Sequence, residues 1–263
     1  MNENCSDFDG RRLKEKICII TGTGGGIGRA SALAFARQGA KVVGCDKNAE
    51  AAKETLELVC QTGGEMISLA PLNLFDRAEC RRLVDTALQK FGRIDVLFNN
   101  AGHFHHGWID DPEDDFWFRT IDEELHITFM LCRAAWSALS TSTGTILNMA
   151  STAGHTTYRV LPGIAHSAAK GGILALTRHL AMEGREKGIR ANSISPGVVG
   201  SPTVLAKAEA DPEWDRIMRS RMLRGQYARP EEIANVAVFL ASDESSFVNG
   251  SDLVVDDGLL CWG

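Results

Sequence analysis

Thr21-Gly22-Thr23-Gly24-Gly25-Gly26-Ile27-Gly28 is the stretch that decides the fold of this chain. It follows an apolar run typical of a buried strand and precedes a pattern typical of a helix. A strand, a glycine-rich turn and a helix in this order direct the free N–H groups and the positive end of the helix dipole towards an anion. In such a turn Gly22 allows the tight bend, Gly26 the approach of a phosphate and Gly28 the close packing of helix on strand.

An acidic residue lies where a dinucleotide site needs one. Asp46 ends the second predicted strand, downstream of the glycine-rich turn. A carboxylate at this place accepts hydrogen bonds from both ribose hydroxyls of an adenosine and repels a 2′-phosphate. The neighbouring Lys47 leaves this preference ambiguous, and the simpler interpretation of Asp46 is a strand-end cap. Together with the glycines, Asp46 predicts a dinucleotide site with NAD as the cofactor.

Short apolar strands alternate with helical patterns along the rest of the chain. This alternation predicts an α/β fold: one Rossmann-type, doubly wound parallel sheet of about seven strands with helices on both faces, over residues 14–263. Residues 1–13 are predicted to be a flexible extension. Residues 200–228 break the alternation and are predicted to be an irregular insertion over a substrate site, with surface packing or a subunit contact as the alternative. The predicted strands are 17–21, 41–45, 66–72, 94–99, 145–149, 190–195 and 253–255, and the predicted helices are 27–38, 49–61, 77–91, 114–140, 165–187 and 231–242.

Composition argues against several classes of partner. The 263 residues are 44% hydrophobic and carry a net charge of −6 without a basic run, which argues against nucleic acid and against an anionic membrane surface. No apolar run approaches membrane-spanning length, and the first 15 residues are polar, unlike a signal peptide. Seven scattered cysteines without a C-x-x-C pair are typical of free thiols in a reducing compartment. We therefore expect a cytoplasmic protein with a small-molecule substrate.

Later motifs resemble those of a known family. Asn99-Asn100-Ala101-Gly102 follows an apolar strand, and Ser195-Pro196-Gly197 and the 229–234 segment come later. With the glycine-rich turn, this order is similar to the short-chain dehydrogenase/reductase family from about residue 12 to 258. The resemblance implies an oxidoreductase that binds a nicotinamide cofactor and forms a homo-oligomer, a tetramer or a dimer. The cofactor-binding residues that it implies are Thr21, Gly22, Gly24, Gly25, Gly26, Ile27, Gly28, Asp46, Lys47, Asn73, Leu74, Asn100, Ala101, Gly102, Lys170, Pro196, Gly197, Val199 and Ser201.

Two of the four catalytic positions depart from the family pattern. The family uses a serine, a tyrosine, a lysine four residues after the tyrosine, and an asparagine on the preceding long helix. Ser151 and Lys170 match, whereas His166 has the tyrosine position and Glu124 the asparagine position. An imidazole exchanges protons near neutral pH, where a phenol needs its pKa lowered first. The expected roles are substrate-oxygen binding for Ser151, proton transfer for His166, ribose binding for Lys170, and pairing with Lys170 for Glu124.

Other residues offer alternative chemistry. Tyr158 lies between Ser151 and His166 and is an alternative source of the missing phenol, although outside the four-residue spacing. Three histidines, His103, His105 and His106, follow the Asn-Asn-Ala-Gly turn. No carboxylate or cysteine completes a metal-ligand spacing with them, so we expect no metal and a pocket rim instead. The residues predicted to bind substrate are His103, His155 and Tyr158.

The sequence leaves three functions open. The leading hypothesis is an NAD(H)-dependent oxidoreductase that transfers a hydride between the nicotinamide and a secondary alcohol or ketone, with His166 as the proton-transfer group. The second is a non-redox lyase or epimerase that uses His166 and Glu124 on the same fold. The third is a catalytically impaired nucleotide-binding protein in which His166 only fills space.

Overall fold

The computed structural model describes residues 11–262 and contains one seven-stranded sheet in that part of the chain. All strands are parallel, in the order β3-β2-β1-β4-β5-β6-β7. This confirms the predicted doubly wound α/β fold. The strands are β1 (Ile17–Thr21), β2 (Lys41–Cys45), β3 (Glu65–Leu69), β4 (Val96–Asn99), β5 (Thr145–Met149), β6 (Arg190–Pro196) and β7 (Asp252–Val255).

Helices connect the strands and cover both faces of the sheet. Among the described residues they are α1 (Gly26–Arg37), α2 (Ala49–Gln61), α3 (Arg77–Phe91), α4 (Asp115–Thr120), α5 (Ile127–Ser142), α6 (Ile164–Gly184), α7 (Pro202–Ala210), α8 (Pro212–Arg219) and α9 (Pro230–Ala241), with a π-helical segment at Ile121–His126 between α4 and α5.

The strands are buried on both sides, which explains their continuous apolar runs. In β1, Ile17 and Ile19 pack into the core with α3, α5 and the end of α6. Cys18 and Ile20 face the opposite side, where α1 and α9 pack. Because alternate residues enter two different cores, neither side of the strand reads as polar.

The order of the sheet reverses between β1 and β4, and their carboxyl ends lie together. Thr21, at the end of β1, accepts hydrogen bonds through Oγ1 from the N–H groups of Asn100 (3.0 Å) and Ala101 (2.9 Å). The Asn100 side chain donates to the carbonyl oxygen of Thr21 at 2.9 Å. Open α/β sheets bind ligands in the crevice at such a switch point. The Asn-Asn-Ala-Gly turn thus fixes the edge of that crevice.

The largest differences from the predicted elements are found at three places in the chain. The predicted strand 66–72 ends at Leu69, because Pro71 has no N–H group to donate to a neighbouring strand. The predicted helix 114–140 is interrupted by the π-helical turns, whose i→i+5 hydrogen bonds break the 3.6-residue period. The predicted irregular segment 200–228 contains α7 and α8. Each of these begins at a proline after a side-chain cap, from Ser201 and Asp211 respectively.

The predicted flexible extension, 1–13, lies mostly outside the described residues. Its last residues pack against the domain: Leu13 is fully buried in the core, and its N–H group donates to the carbonyl oxygen of Gln38 at 3.0 Å. Arg12 forms an ion pair with Glu244. Leu13 belongs to the same apolar cluster as residues of α1, α9 and the sheet.

Candidate active site

Two cavities meet at the carboxyl edge of the sheet, one of about 330 Å³ and the other of about 990 Å³. Asn100 and Gly102 line both. Together the cavities collect most of the predicted site residues. The smaller cavity is lined by Gly22, Gly25, Asp46, Lys47, Asn73, Leu74, Ala101 and His103, and the larger by Ile27, Glu124, Ser151, Tyr158, His166, Lys170, Pro196, Gly197, Val199 and Ser201.

The glycines of the turn have different reasons to lack a side chain. A Cβ on Gly28 would lie 1.9 Å from the carbonyl oxygen of Gly22, so only glycine fits there. Gly22 and Gly26 have φ of +73° and +48°, a backbone conformation that favours glycine. Gly25 has extended backbone and nothing within 4 Å of a Cβ, so its open side faces the space in front of α1. Gly25 therefore leaves open space at the start of α1, of the kind that a phosphate fits.

Asp46 both braces the turn and lines the smaller cavity. Its carboxylate accepts hydrogen bonds from the N–H groups of Gly24 and Asn48, each at 2.8 Å. The capping role of the simpler interpretation is therefore present, and the remaining lone pairs stay available to a ligand. Lys47 Nζ lies 3.7 Å from Glu123 Oε2, so its charge is offset by a carboxylate across the cavity.

The site around α6 is organised by one buried carboxylate. Glu124, whose side chain is 4% exposed, accepts a hydrogen bond from His166 Nδ1 at 2.8 Å and lies 3.4 Å from Lys170 Nζ. Lys170 Nζ also donates to the carbonyl oxygen of Met149 at 3.0 Å. His166 and Lys170 are one turn apart on the same face of α6. The π-helical segment brings Glu124 against both of them.

The ionised state of Glu124 determines which ring nitrogen of His166 carries a hydrogen. Burial raises the pKa of Glu124, but the charge of Lys170 and the hydrogen bond from His166 outweigh it, so its pKa lies below the usual range. An ionised carboxylate only accepts hydrogen bonds, and Nδ1 therefore carries a hydrogen. Nε2 remains available to a substrate. Phe104 stacks on one face of the His166 ring, with the two ring centroids 4.4 Å apart, and fixes the orientation of that ring.

The hydroxyl hydrogen of Ser151 is free to donate to a ligand, whereas that of Tyr158 is not. Ser151 Oγ accepts a hydrogen bond from the N–H group of Ala153 at 3.1 Å, which leaves its hydroxyl hydrogen to donate. The Tyr158 hydroxyl is bonded to Thr152 Oγ1, which itself donates to the carbonyl oxygen of Pro196 at 3.1 Å. Burial raises the pKa of Tyr158. Its proton is therefore committed to Thr152, which weakens the alternative that Tyr158 supplies the missing phenol.

The histidines outside α6 do not act as one group. His103 lines the smaller cavity and His106 the larger, while His105 Nε2 lies 3.2 Å from Glu123 Oε1. His155, predicted to bind substrate, is turned towards β7, where Nε2 lies 2.9 Å from Asp252 Oδ2. The short 3₁₀ turn at residues 152–154 directs it there, and His155 lines neither of the two cavities. Within residues 11–262, no group of three or more metal-ligating side chains is placed to hold a metal ion.

Sequence reasoning missed most of the wall of the larger cavity. Phe104 lies in a loop with no regular pattern, and Leu161 in another. The helical spacing of Trp214 and Met218 was a usable signal, since both line the cavity from α8 together with Ile217. In the described residues no helix is long and apolar enough to span a membrane.

A Rossmann-type sheet with a glycine-rich turn, an Asn-Asn-Ala-Gly turn and a Ser–Lys pair defines a class of nucleotide-binding proteins, and comparison with known sequences identifies the family. A family profile described as Enoyl-(Acyl carrier protein) reductase matches residues 22–260. D-threitol dehydrogenase of Mycolicibacterium smegmatis is 36% identical over 255 residues, which cover 96% of this chain and 95% of that protein. Dehydrogenase/reductase SDR family member 6 of Danio rerio is 34% identical over 251 residues, 94% of this chain and 98% of that protein. The chain belongs to the short-chain dehydrogenase/reductase family.

Solved structures agree with this assignment. A Burkholderia xenovorans protein assigned to the same family superposes with a TM-score of 0.91 at 31% identity, over 96% of this chain and 99% of that one. A 7α-hydroxysteroid dehydrogenase in complex with NADH has a TM-score of 0.88 at 31% identity, over 94% and 95%. An actinorhodin polyketide ketoreductase with NADPH has a TM-score of 0.88 at 26% identity, over 94% and 98%. Both nicotinamide cofactors thus occur among the structural relatives.

Proposed function

We propose that the protein is an NAD(H)-dependent oxidoreductase that interconverts a secondary alcohol and a ketone, with His166 as the proton-transfer group. The observation that carries the proposal is the buried Lys170–Glu124–His166 set beside the larger cavity. The names of the relatives, among them a D-threitol dehydrogenase and a 7α-hydroxysteroid dehydrogenase, support the reaction class.

The smaller cavity fits the adenosine half of a dinucleotide. The open side of Gly25 and the start of α1 would receive the phosphates, and the Asp46 carboxylate would receive the ribose hydroxyls. NAD is favoured over NADP because a 2′-phosphate would meet Asp46, while the charge of Lys47 is already offset by Glu123. When bound, the nicotinamide supplies the hydride acceptor or donor.

The residues of the larger cavity have separate roles in the proton transfer. His166 Nε2 takes the hydroxyl proton of the alcohol during oxidation and returns it during reduction. Glu124 fixes the ring through Nδ1 and stabilises the imidazolium while it exists, because a carboxylate that accepts from Nδ1 favours the charged ring. Ser151 donates its free hydroxyl hydrogen to the substrate oxygen. Lys170 binds the ribose next to the nicotinamide.

A test of the function uses purified protein, NAD or NADH, and a panel of neutral alcohols and ketones. We expect a substrate-dependent change at the NADH absorbance band with the wild type and a loss of that change in His166→Phe. Conversion of substrate without net change in the cofactor would instead assign a non-redox lyase or epimerase reaction to the His166–Glu124 pair. Binding of NADH without conversion of any substrate would leave a nucleotide-binding protein.

The proposal includes a homo-oligomer. Phe118 on α4, Phe129 on α5 and Met182 on α6 are exposed apolar side chains on the helices that the family pairs across subunits. Their exposure supports a subunit contact in this region. Light scattering after size-exclusion chromatography tests it, with a dimer or tetramer as the expected result and a monomer as the contrary one.

A further inference from the structure

The larger cavity has room for far more than a reacting alcohol group. Its volume of about 990 Å³ lies at the upper end of the range for ligand pockets, roughly 300–1,000 Å³, and the nicotinamide half of the cofactor would occupy only the part beside Pro196, Gly197 and Ser201. Most of its wall is apolar and comes from separate parts of the chain: the loop after β4, the loop before α6, and helices α7 and α8. The apolar side chains of this wall are Phe104, Val160, Leu161, Val204, Trp214, Ile217 and Met218.

The formal charges in the lining are already paired. Each charged side chain that lines the cavity has an ionic partner within the described residues, so none is left to recognise a charge on a substrate. The pairs are Glu124 with Lys170 (3.4 Å), Lys207 with Asp211 (2.9 Å) and Glu213 with Arg216 (2.7 Å). His106 adds no charge at neutral pH, because burial and the neighbouring His103 lower its pKa.

Ser151 and His166 are the polar side chains at the reacting end of the cavity, while the hydroxyl of Tyr158 is committed to Thr152. The rest of the lining has further polar side chains, among them His106, Thr203 and the paired residues Asp211 and Glu213, but apolar side chains make up most of it. A second hydroxyl group on the substrate that lies against Leu161 or Ile217 would lose its water without gaining a partner from these side chains. Such unpaired burial is costly.

We propose that the substrate is a neutral secondary alcohol or ketone whose carbon skeleton is bulky and apolar, larger than a single ring, and that polyols and anionic substrates are excluded. This inference rests on the proposed function and names the substrate class of the same site. The reacting oxygen lies at Ser151 and His166, and the carbon skeleton extends along α8.

The test compares ketones that differ in size and polarity at one NADH concentration. Cyclohexanone and 2-decalone differ in apolar size, erythrulose carries extra hydroxyl groups, and levulinate carries a negative charge. Each methylene group buried contributes about fourfold, or ~0.8 kcal/mol, so we expect kcat/KM for 2-decalone to exceed that for cyclohexanone at least tenfold. Erythrulose and levulinate should be at least tenfold poorer than cyclohexanone. Equal or better turnover of erythrulose or levulinate than of 2-decalone overturns the inference.

A binding measurement separates this inference from the proposed function. Trp214 lines the cavity, so 2-decalone should quench its fluorescence, and Trp214→Phe isolates that signal from the other four tryptophans. Ile217→Asp should weaken the binding at least tenfold, whereas Ile109→Asp, the same change at a residue 83% exposed, should not. Binding of 2-decalone without turnover would contradict the proposed function and support the substrate class. Turnover of small polar ketones with no binding of 2-decalone would support the proposed function and contradict the substrate class.

Discussion

Glu124→Gln is the substitution that most directly probes the buried charge set. Gln keeps the shape and one acceptor oxygen but removes the negative charge next to Lys170. Breaking a buried ion pair costs about 3–5 kcal/mol, and Lys170 keeps its hydrogen bond to the carbonyl oxygen of Met149. We therefore expect a loss of about 2–3 kcal/mol in the free energy of unfolding, or roughly 5–10 °C in Tm for a chain of this size.

The sign of the pH dependence follows from the lowered pKa of Glu124. Its carboxyl group has a lower pKa in the folded state than the value of about 4.3 in the unfolded chain. Such a group contributes stability above the unfolded pKa, and the contribution disappears as the pH falls through the folded pKa. The difference in Tm between wild type and Glu124→Gln should hold from pH 8 down to about 5 and shrink in more acidic solution.

Thermal unfolding followed by circular dichroism measures this difference between pH 3 and 8. Glu123→Gln is the matched control, because Glu123 precedes Glu124 in the chain. The Glu123 side chain is 17% exposed, and its carboxylate lies 3.2 Å from His105 and 3.7 Å from Lys47. Because these contacts are longer and more exposed to solvent than those of Glu124, the control substitution should change Tm by no more than about 2–4 °C. A Tm for Glu124→Gln within 1 °C of the wild type at pH 7, or a difference that grows in acid, would refute the reasoning.

Three other predictions concern the cofactor and the turn. Gly25→Ala should keep Tm within about 2 °C, because the new Cβ meets no protein atom. It should weaken NADH binding at least tenfold in a calorimetric titration, because the same Cβ would occupy the space proposed for the phosphates. Unchanged affinity would show that the loop does not bind the cofactor. Gly28→Ala should lower Tm by more than 5 °C, since its Cβ would lie 1.9 Å from the carbonyl oxygen of Gly22; a neutral result would contradict the packing. In a fluorescence titration the wild type should bind NADH more tightly than NADPH. Asp46→Ala should reduce this difference in affinity between the two cofactors, because it removes the carboxylate that repels the 2′-phosphate. Equal affinities in the wild type would contradict the role of Asp46.

The fold was predictable because its determinants are local. The glycine-rich turn, the Asp46 carboxylate and the alternation of strands and helices are each visible within a few residues, and they define the sheet and the crevice. The boundaries that differed depend on details a pattern does not carry, such as the missing N–H group of Pro71 and the packed side chain of Leu13.

The candidate site was predictable only in part, because its key contact is non-local. Motif spacing identified Ser151, His166, Lys170 and Glu124 one by one. The hydrogen bond between His166 and Glu124, however, joins residues 42 positions apart and depends on the π-helical turns. The motif pattern predicts only the pairing of Glu124 with Lys170, which the structure also contains. His155 follows Ser151 in sequence yet bonds Asp252 on β7, a neighbour that only the sheet order brings close.

The most direct test of the central claim, proton transfer by His166, is the pH dependence of alcohol oxidation in wild type, His166→Phe and Tyr158→Phe. The account predicts that the wild-type rate rises with pH through one step, as the group that accepts the alcohol proton becomes deprotonated. His166→Phe should cut turnover roughly 10²–10⁴-fold and remove the step, with NADH affinity unchanged. Tyr158→Phe should retain both the step and most of the rate. Normal turnover in His166→Phe, or a step that disappears in Tyr158→Phe instead, would contradict the account.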